Sequence, residues 1–240
     1  MTYWNRTHTH HGRSDCGRCP VRGRMLCAAV ALDDLLAPQA AVADLAFEAG
    51  APLYHAGDAG QAVHLVRQGA IKLLRIDAAG NQRIVRVLRS GDIAGLEGLH
   101  GGACRHTAVA MTRAEICRLP IGQLHRFILR HPGLPMRLLE QAQGALEEAD
   151  AWLADLVSGM VPGRVRLARL LLRLRMDTGD RIHRLSLVDF GAILGLTPET
   201  VSRVLAEFMD EGVLVKVGKG MASRHFCGDI AALGRVAADA

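Results

Sequence analysis

The fold of the C-terminal region is decided by the segment Ser186-Leu-Val-Asp-Phe-Gly-Ala-Ile-Leu-Gly-Leu-Thr-Pro-Glu-Thr-Val-Ser-Arg-Val-Leu205. Ser186 is a favoured helix N-cap, and Asp189 three positions later completes a capping box. Gly195 ends this first helix, as glycine commonly does. Thr197, followed by proline, begins a second helix, because Thr suits the N-cap and Pro suits the first helical position. A helix, a glycine turn and a capped helix together predict a helix-turn-helix.

The residues that follow extend this motif into a winged helix. Short apolar runs at residues 213–217 and 222–226 flank Gly218-Lys-Gly220, and this pattern predicts a β-hairpin. Residues 159–240 carry a net charge of +3, within a total of +5 for the chain. Basic charge beside a winged helix-turn-helix is typical of a DNA-binding module.

The second helix of this motif has a polar face that we predict to contact DNA bases. Arg203 can bond a guanine edge through two hydrogen bonds, Glu199 can accept from a cytosine amino group, and Ser202 is permissive. Thr200 lies on the same face. An ion pair between Glu199 and Arg203 is the alternative role for these two residues, worth a few tenths of a kcal/mol, and it could also orient Arg203.

Residues 46–122 show the pattern of a small β domain. Short apolar runs alternate with turns such as Gly57-Asp58, Gly80-Asn81 and Gly91-Asp92. Evenly spaced short strands with such turns predict an antiparallel barrel or roll.

Residues 123–158 are predicted to be helical, with a break near Pro132 and Pro135. Apolar or small residues then recur at the a and d positions of heptads, and small Ala at d positions permits close approach of a second helix. We interpret this seam as a dimer interface; the alternative is a helix packed on its own domain. Asp150 lies beside the seam, where we hypothesise that its repulsion with neighbouring acids weakens the dimer. The predicted interface residues are Leu139, Ala142, Leu146, Ala149, Asp150, Leu153 and Leu156.

Composition excludes several classes of protein. The 240 residues have a mean hydropathy of +0.15 and are half hydrophobic, which is enough for two folded domains. No apolar run reaches the roughly 18 residues of a membrane helix, and the first residues lack a signal-peptide pattern. We therefore expect a cytoplasmic chain without membrane association, whose six cysteines are reduced thiols or metal ligands. We expect no enzymatic activity, because the sequence has no phosphate-binding loop and no nucleophile motif.

The order of roll, seam helix and winged helix-turn-helix resembles the Crp/Fnr family of transcription regulators. The run Thr197–Leu205 is similar to the Fnr-type recognition helix, whose E-x-x-S-R motif falls on Glu199, Ser202 and Arg203. The resemblance implies an α+β fold with a cyclic-nucleotide-binding-like β-roll, a long dimerisation helix and a C-terminal winged helix-turn-helix. It also implies a homodimer that binds a palindromic operator in double-stranded DNA and activates through RNA polymerase. The glycines that sit where the family's roll turns are Gly57, Gly69 and Gly91.

The effector position of the roll departs from that of the cyclic-AMP receptor. The acid that binds the ribose there falls on Leu96, with Glu97 shifted by one position. The arginine that binds the cyclic phosphate falls on His106. Since a cyclic phosphate needs a permanently charged guanidinium fork, the sequence disfavours a cyclic-nucleotide effector.

Three cysteines near the start form a C-x2-C-x7-C pattern at Cys16, Cys19 and Cys27. Thiolates at this spacing can bind one metal centre that still needs a fourth ligand. Cys117 is the favoured fourth ligand, because it lies where the Fnr-type sensors that this chain resembles carry theirs; Cys104 is the alternative. Four thiolates suit zinc or an iron–sulfur cluster, and the resemblance of the Cys-x2-Cys-Pro run to oxygen-sensing Fnr relatives favours [4Fe–4S].

Charged residues surround this cysteine pattern. Residues 1–27 carry a net charge of +4, and Arg18, Arg22 and Arg24 could stabilise an anionic cluster. A solvated arginine-rich loop is the alternative. Cys227 is expected to be a plain thiol, and the histidines near the N-terminus to belong to a polar tail, although they could bind zinc or haem. These are His8, His10 and His11.

The predicted organisation is a cysteine-rich segment at residues 1–28, a β-roll sensor at 29–122, a dimerisation helix at 123–160 and a DNA-binding domain at 161–240. The predicted function is transcription regulation in response to oxygen or redox state, through a [4Fe–4S] cluster that controls dimerisation and promoter binding in the anaerobic response. The alternative is a regulator of the same family with haem, zinc or another small-molecule effector in place of the cluster.

Overall fold

The structure, a computed structural model, describes residues 8–76, 82–153, 161–176, 179–217 and 225–239. The chain forms two compact units. The first comprises residues 1–81 and 85–146, and the second comprises residues 82–84 and 147–240.

Antiparallel sheets form the body of the first unit. Its strands are β1 (His8–Arg13), β2 (Ala43–Phe47), β3 (Pro52–Tyr54), β4 (Ala62–Gln68), β5 (Ile71–Ile76), β6 (Gln82–Leu88), β7 (Ile93–Ala94), β8 (Thr107–Ala110) and β9 (Ala114–Pro120). The first three residues of β6 are grouped with the second unit. One sheet has the order β1-β2-β9-β4-β7 and the other has the order β3-β8-β5-β6. The predicted β-roll is thereby confirmed.

Glycine makes the turns between these strands possible. Gly57, Gly69 and Gly91 have φ angles of +90°, +92° and +101°, at the turns where the sequence predicts them. Gly69 also has no room for a side chain, because a Cβ there would lie 2.5 Å from the carbonyl oxygen of Arg113. Only glycine combines this backbone conformation with so close an approach.

The helices of the first unit are α1 (Leu32–Leu36), α2 (Ile121–Arg130) and α3 (Leu134–Trp152), the last of which continues into the second unit. Helix α2 buries Leu124 and Phe127, and the predicted break falls between α2 and α3 at Pro132. The predicted heptad seam is exposed in the single chain: Leu139 is 61%, Leu146 is 62% and Leu153 is 62% exposed. These three leucines therefore do not pack on their own domain within the described part of the chain.

The N-terminal segment is more regular than the sequence indicates. The sequence predicts a polar tail at His8, His10 and His11, but β1 pairs antiparallel with β2, with His8 opposite Phe47 and Arg13 opposite Ala43. Hydrogen bonding to the edge of an existing sheet needs no apolar alternation, so periodicity cannot reveal this strand. Two 3-10 turns follow, at Arg22–Arg24 and Leu26–Ala29.

Two clusters of buried side chains stabilise the first unit. One packs the N-terminal segment against β4, β9 and α2, and it contains Leu26, Leu65 and Phe127. The other contains Phe47 and Ile71. The two clusters separate the cysteines of this unit: Cys16, Cys27 and Cys117 belong to the first, and Cys104 belongs to the second.

The second unit contains the predicted helix-turn-helix. Its elements are α4 (Gly163–Arg173), β10 (Arg181–His183), α5 (Leu187–Leu194), α6 (Pro198–Asp210), β11 (Leu214–Val217), β12 (His225–Gly228) and α7 (Ile230–Ala238). Both predicted caps are confirmed, because the Asp189 amide donates to Ser186 Oγ at 3.0 Å and the Thr200 amide donates to Thr197 Oγ1 at 3.3 Å. Helices α5 and α6 pack on each other, and α4 packs on α7.

The wing has one more strand than the sequence predicts. Strands β11 and β12 form the predicted antiparallel pair, and β10 pairs with the other edge of β12. The three-residue β10 is too short for its alternation to be recognised in the sequence. The predicted turn of the wing, at residues 218–220, lies outside the described residues.

Candidate metal centre and nucleic-acid interface

The four cysteines predicted to bind a metal centre line a single cavity in the first unit. Cys16, Cys19 and Cys27 reach it from the N-terminal segment, and Cys117 reaches it from β9. Cys16, Cys27 and Cys117 are buried and Cys19 is partly buried. The wall is completed by Ser14, Asp15, Arg22, Met25 and Arg67.

Local structure explains why these thiols meet. Cys16 follows β1 closely, so the pairing of β1 with β2 holds it near β9, which is the other neighbour of β2. Cys27 lies in the 3-10 turn Leu26–Ala29, where Leu26 is buried in the core. Ser14 Oγ donates to Cys117 Sγ at 3.4 Å and so joins the N-terminal segment to β9.

The cavity disfavours thiolates unless positive charge is present. Burial raises the pKa of the Cys27 thiol to about 12, and the neighbouring thiols raise it as well. Burial also raises the pKa of Cys117 to about 11, while the hydrogen bond from Ser14 and the charge of Arg67 act in the opposite direction. Thiolates in this cavity therefore need a metal or nearby cations to balance their charge.

Two arginines supply such charge, and they are not the set that the sequence predicts. Arg22 lines the cavity, as expected. The Arg18 side chain is 92% exposed and lies 3.9 Å from Asp15, so it belongs to the surface. Arg24 is not among the lining residues, whereas Arg67 on β4 is. No sequence pattern indicates Arg67, because its position depends on the packing of β4 beside β9.

The remaining cysteines lie elsewhere. Cys104, the alternative fourth ligand, is buried in the second hydrophobic cluster of the roll, away from the cysteines of the first. Cys227 is on β12 of the other unit. The assignment of Cys117 as the fourth ligand stays a prediction, but of these three cysteines it alone lines the cavity.

The turn between Cys19 and Cys27 is bonded to the long helix α3. Arg137 Nη2 donates to the carbonyl oxygens of Gly23 and Arg24, at 3.3 Å and 3.2 Å. Gln141 Nε2 donates to the same oxygen of Arg24 at 3.3 Å. Backbone groups of the cysteine-rich segment thus contact the helix that carries the exposed leucines.

The residues predicted to contact DNA lie on α6 as the apolar pattern requires. Glu199, Ser202 and Arg203 are exposed, whereas the apolar face is buried through Val201, Val204, Leu205 and Phe208. Thr200 is partly buried, and its hydroxyl lies 3.2 Å from that of Thr197 within the helix cap. Thr200 therefore serves the cap, and its predicted contact with DNA stays a prediction.

The ion pair of Arg203 differs from the one that the sequence suggests. Its partner is Glu207, one turn further along α6, with Nη1 of Arg203 3.3 Å from Oε1 of Glu207, and not Glu199. Glu207 also accepts from Arg164 of α4 at 3.4 Å, and Arg164 stacks on the ring of Phe208 at 4.5 Å. Either glutamate is one helical turn from Arg203, so the sequence cannot choose between them.

The predicted dimer residues are accessible to a second chain. Leu139, Ala142, Leu146, Asp150 and Leu153 are exposed, and Ala149 is partly buried. Leu156 lies outside the described residues. The hypothesis that Asp150 weakens the dimer stays a prediction.

At the position where the sequence departs from the cyclic-AMP receptor, Glu97 and His106 lie close to each other. His106 Nδ1 lies 3.7 Å from Glu97 Oε1, and the backbone amide of Arg105 donates to the same oxygen at 3.2 Å. The neighbouring His106 imidazole lowers the pKa of Glu97 to about 2, against the effect of burial. The Glu97 carboxylate therefore interacts with the Arg105 amide and the His106 imidazole of its own chain.

Comparison with known proteins identifies the class of the chain. Residues 44–131 match the family model of the cyclic nucleotide-binding domain, and residues 165–225 match that of the Crp-like helix-turn-helix domain. The cyclic AMP receptor protein of Thermus thermophilus is 33% identical over 172 residues, which cover 71% of this chain and 78% of that protein. The fumarate and nitrate reduction regulatory protein of Escherichia coli K12 is 27% identical over 177 residues, covering 71% of this chain and 70% of that protein.

Solved structures agree with this comparison. FixK2 from Bradyrhizobium japonicum has the same fold, with a TM-score of 0.70 at 24% identity, covering 83% of this chain and 98% of that one. A transcriptional regulator of the CRP family from Thermus thermophilus has a TM-score of 0.63 at 27% identity, covering 81% of this chain and 97% of that one.

The fold and the recognition helix define a DNA-binding regulator with a sensor domain of the cyclic-nucleotide-binding type. The chain belongs to the Crp/Fnr family of transcription regulators, whose members bind DNA as dimers. The relatives named above are regulators and not enzymes. Among the helices of the described residues, none has both the length and the apolar character that crossing a membrane requires.

Proposed function

We propose that this regulator responds to oxygen or redox state through a [4Fe–4S] cluster bound by Cys16, Cys19, Cys27 and Cys117. The observation that carries the proposal is that thiols from two distant segments of sequence line one cavity. The cysteine pattern resembles that of Fnr-type sensors, and the relatives include a protein named for the regulation of fumarate and nitrate reduction.

The arrangement of the thiols suits a cluster better than a single zinc ion. Zinc binds its sulfur ligands at about 2.3 Å, so four sulfur atoms must converge on one point. Within the described residues, no three His, Cys, Asp or Glu side chains stand close enough to hold one metal ion. Thiols distributed around a cavity fit a group that contains several iron atoms.

When bound, the cluster would supply an inorganic centre that is sensitive to oxygen. The four cysteines hold it, and the guanidinium groups of the lining arginines offset its negative charge. With the cysteines held in place, the turn between them keeps its carbonyl oxygens available to Arg137 and Gln141 of α3. The order of the cysteine-rich segment is thereby coupled to the position of α3.

The exposed leucines of the seam, Leu139, Leu146 and Leu153, then pack against the same residues of a second chain. In the dimer, two α6 helices reach two half-sites of a palindromic operator about one DNA turn apart. We further propose that the bound dimer acts in the cytoplasm and contacts RNA polymerase to activate transcription in the anaerobic response.

Anaerobic purification tests this proposal directly. The protein should be brown, contain iron and sulfide in the proportions of the cluster, and show a broad visible absorption that bleaches in air. A sharp Soret band would identify haem instead, and a colourless protein containing zinc would refute the oxygen-sensing function. Sedimentation of the same samples should show dimers without air and monomers after exposure to it.

Matched cysteine variants test the ligand set. Cys117→Ala should abolish the visible absorption, because it removes one of the thiols that line the cavity. Cys104→Ala and Cys227→Ala should retain it, since Cys104 is buried in another cluster and Cys227 is in the other unit. Loss of the absorption in Cys104→Ala with retention in Cys117→Ala would overturn the assignment.

A further inference from the structure

We propose that Arg67 stabilises the cluster in this cavity, and that Asp44 and Glu115 are the positioning residues that hold its guanidinium there. This inference rests on the proposed function. It assigns a role to an arginine that lies outside the cysteine-rich segment, on a strand of the roll.

An irregularity in β4 determines where Arg67 lies. Val66 pairs with Ile116 of β9, but Gln68 pairs with Glu115, so Arg67 is an extra residue with no register partner on β9. Such a β-bulge bends the strand and changes the direction of a side chain. The hydroxyl of Ser90 donates to the carbonyl oxygen of Arg67 at 2.8 Å, which satisfies the backbone at the bulge.

Two carboxylates from neighbouring strands fix the guanidinium. Nη2 of Arg67 lies 2.7 Å from Oδ1 of Asp44 and 3.1 Å from Oε2 of Glu115. Asp44 is directly opposite Cys117 in the register of β2 and β9. Because the side chains of Arg67 and Asp44 are only 16% and 15% exposed, this pair is far less screened by water than a surface ion pair.

The arginines that line the cavity have unused hydrogen-bond donors. Nε of Arg67 and Nε of Arg22 are both buried, and neither has a hydrogen-bond partner among the described residues. A buried donor without a partner costs about 1–3 kcal/mol. The sulfur atoms of an anionic cluster in the same cavity would provide acceptors for both donors.

This arrangement makes Arg67 suited to stabilise negative charge on sulfur. Hydrogen bonds to the sulfur atoms and nearby charge tune the potential and the lifetime of iron–sulfur clusters. Arg67 offers both, and Asp44 and Glu115 keep it from turning towards solvent. Removal of its charge should make the cluster easier to oxidise and lower its midpoint potential.

The test measures cluster loss in air and the midpoint potential in full-length protein reconstituted without oxygen. Arg67→Gln should lose its visible absorption on the order of 10-fold faster than the wild type, which is the usual size of an effect from outside the ligand set. Arg67→Lys keeps the charge but not the Nε–H, so the rate at which it loses its visible absorption should lie between those of the wild type and Arg67→Gln. Asp44→Asn loosens the hold on Arg67 but also removes a negative charge opposite Cys117, so its decay rate should differ from that of the wild type by a smaller factor than the rate of Arg67→Gln does.

Arg18→Gln is the matched control, because Arg18 lies between Cys16 and Cys19 in sequence but its side chain is exposed. It should decay at the wild-type rate. Thermal unfolding of the cluster-free variants identifies any that do not fold, in which case Arg67→Lys carries the test. If the wild type binds no iron and sulfide, the proposed function and this inference both fail. If the wild type binds the cluster and both Arg67 variants decay at its rate, or Arg18→Gln decays as fast as they do, this inference alone is overturned.

Discussion

Arg137 Nη2 lies 3.2 Å from the backbone carbonyl oxygen of Arg24. This bond joins the turn between Cys19 and Cys27 to α3, two residues before the exposed Leu139. A second bond from Nη1 of Arg137 to Glu140, at 2.9 Å, orients the guanidinium on the helix surface. Because the acceptors in the turn are backbone groups, their position depends on the conformation of the loop and not on the identity of its side chains.

Replacement of Arg137 should therefore loosen the cysteine-rich segment. Arg137→Ala removes two hydrogen bonds to the turn, so the free energy of local opening should fall by about 1–2 kcal/mol. Hydrogen exchange of the amides of residues 21–29 measures this change. Arg126→Ala, which removes an exposed arginine of α2, should leave these amides unchanged. Equal protection in wild type and Arg137→Ala would contradict the coupling.

Substitutions at Leu146 and Leu138, two leucines of α3, should have different effects. Leu146→Lys should raise the dimer dissociation constant at least about 10-fold, because burial of one leucine contributes about 1.5–3 kcal/mol. Its effect on the unfolding of the monomer should be small, since Leu146 is 62% exposed in the single chain. Leu138 packs against the core beside the cysteines, so Leu138→Ala should instead lower the free energy of unfolding, by about 2 kcal/mol. Sedimentation and urea unfolding measure the two quantities; destabilisation of the monomer by Leu146→Lys would argue against an interface role.

The recognition helix allows a test of base reading. Arg203→Ala should lower operator affinity by about 1–3 kcal/mol and relax the preference at one base pair. Glu207→Gln removes the ion pair of Arg203 and should weaken that preference by less. Selection of binding sites from random duplex DNA measures the preference, with Asp210→Asn at the exposed end of α6 as the control. Unchanged base preferences in Arg203→Ala would exclude a direct reading role.

Glu97 should contribute to acid sensitivity. Its pKa is lowered to about 2 in the folded chain from 4.5, so its stabilising effect is present above pH 4.5 and is lost as the pH falls towards 2. Glu97→Gln should be less stable at pH 7 by on the order of 2 kcal/mol, and the difference should shrink as the pH falls through this range. Urea unfolding between pH 2 and pH 7 measures this difference in the free energy of unfolding. Glu48→Gln, at an exposed glutamate, is the control. A constant difference at every pH would show that the contribution of Glu97 to stability does not depend on its charge.

The sequence correctly predicts features that depend only on residues close together in the chain, such as helix caps and glycine turns. The caps at Ser186 and Thr197 and the turn at Gly69 depend on residues within a few positions, and all three are where the sequence places them. The heptads likewise identified the leucines that remain exposed on α3. Each of these features can be recognised without knowledge of distant contacts.

The sequence does not predict the features that depend on contacts between distant parts of the chain. β1 exists because an edge of the sheet is available to it, and Arg67 reaches the cavity because of a bulge in β4. The sequence suggests Glu199 as the alternative ion-pair partner of Arg203, whereas the structure has Glu207, which also accepts from Arg164 of α4. Spacing along the chain also grouped Arg18 with the cysteines, whereas its side chain points into solvent.

The N-terminal segment is anchored to the roll on both sides of Cys16 and Cys19. Before Ser14, the chain is held by the pairing of β1 with β2. After Cys16 and Cys19, it is held by the side chains of Met25 and Leu26, which are each only 1% exposed. The part between these anchors is a short closed loop, and the entropy lost on ordering such a loop grows only slowly with its length. If the proposed cluster were lost, three of the thiols would therefore stay within reach of the fourth on β9. The proposed function then implies that the cluster could be rebuilt in place, without unfolding of the chain.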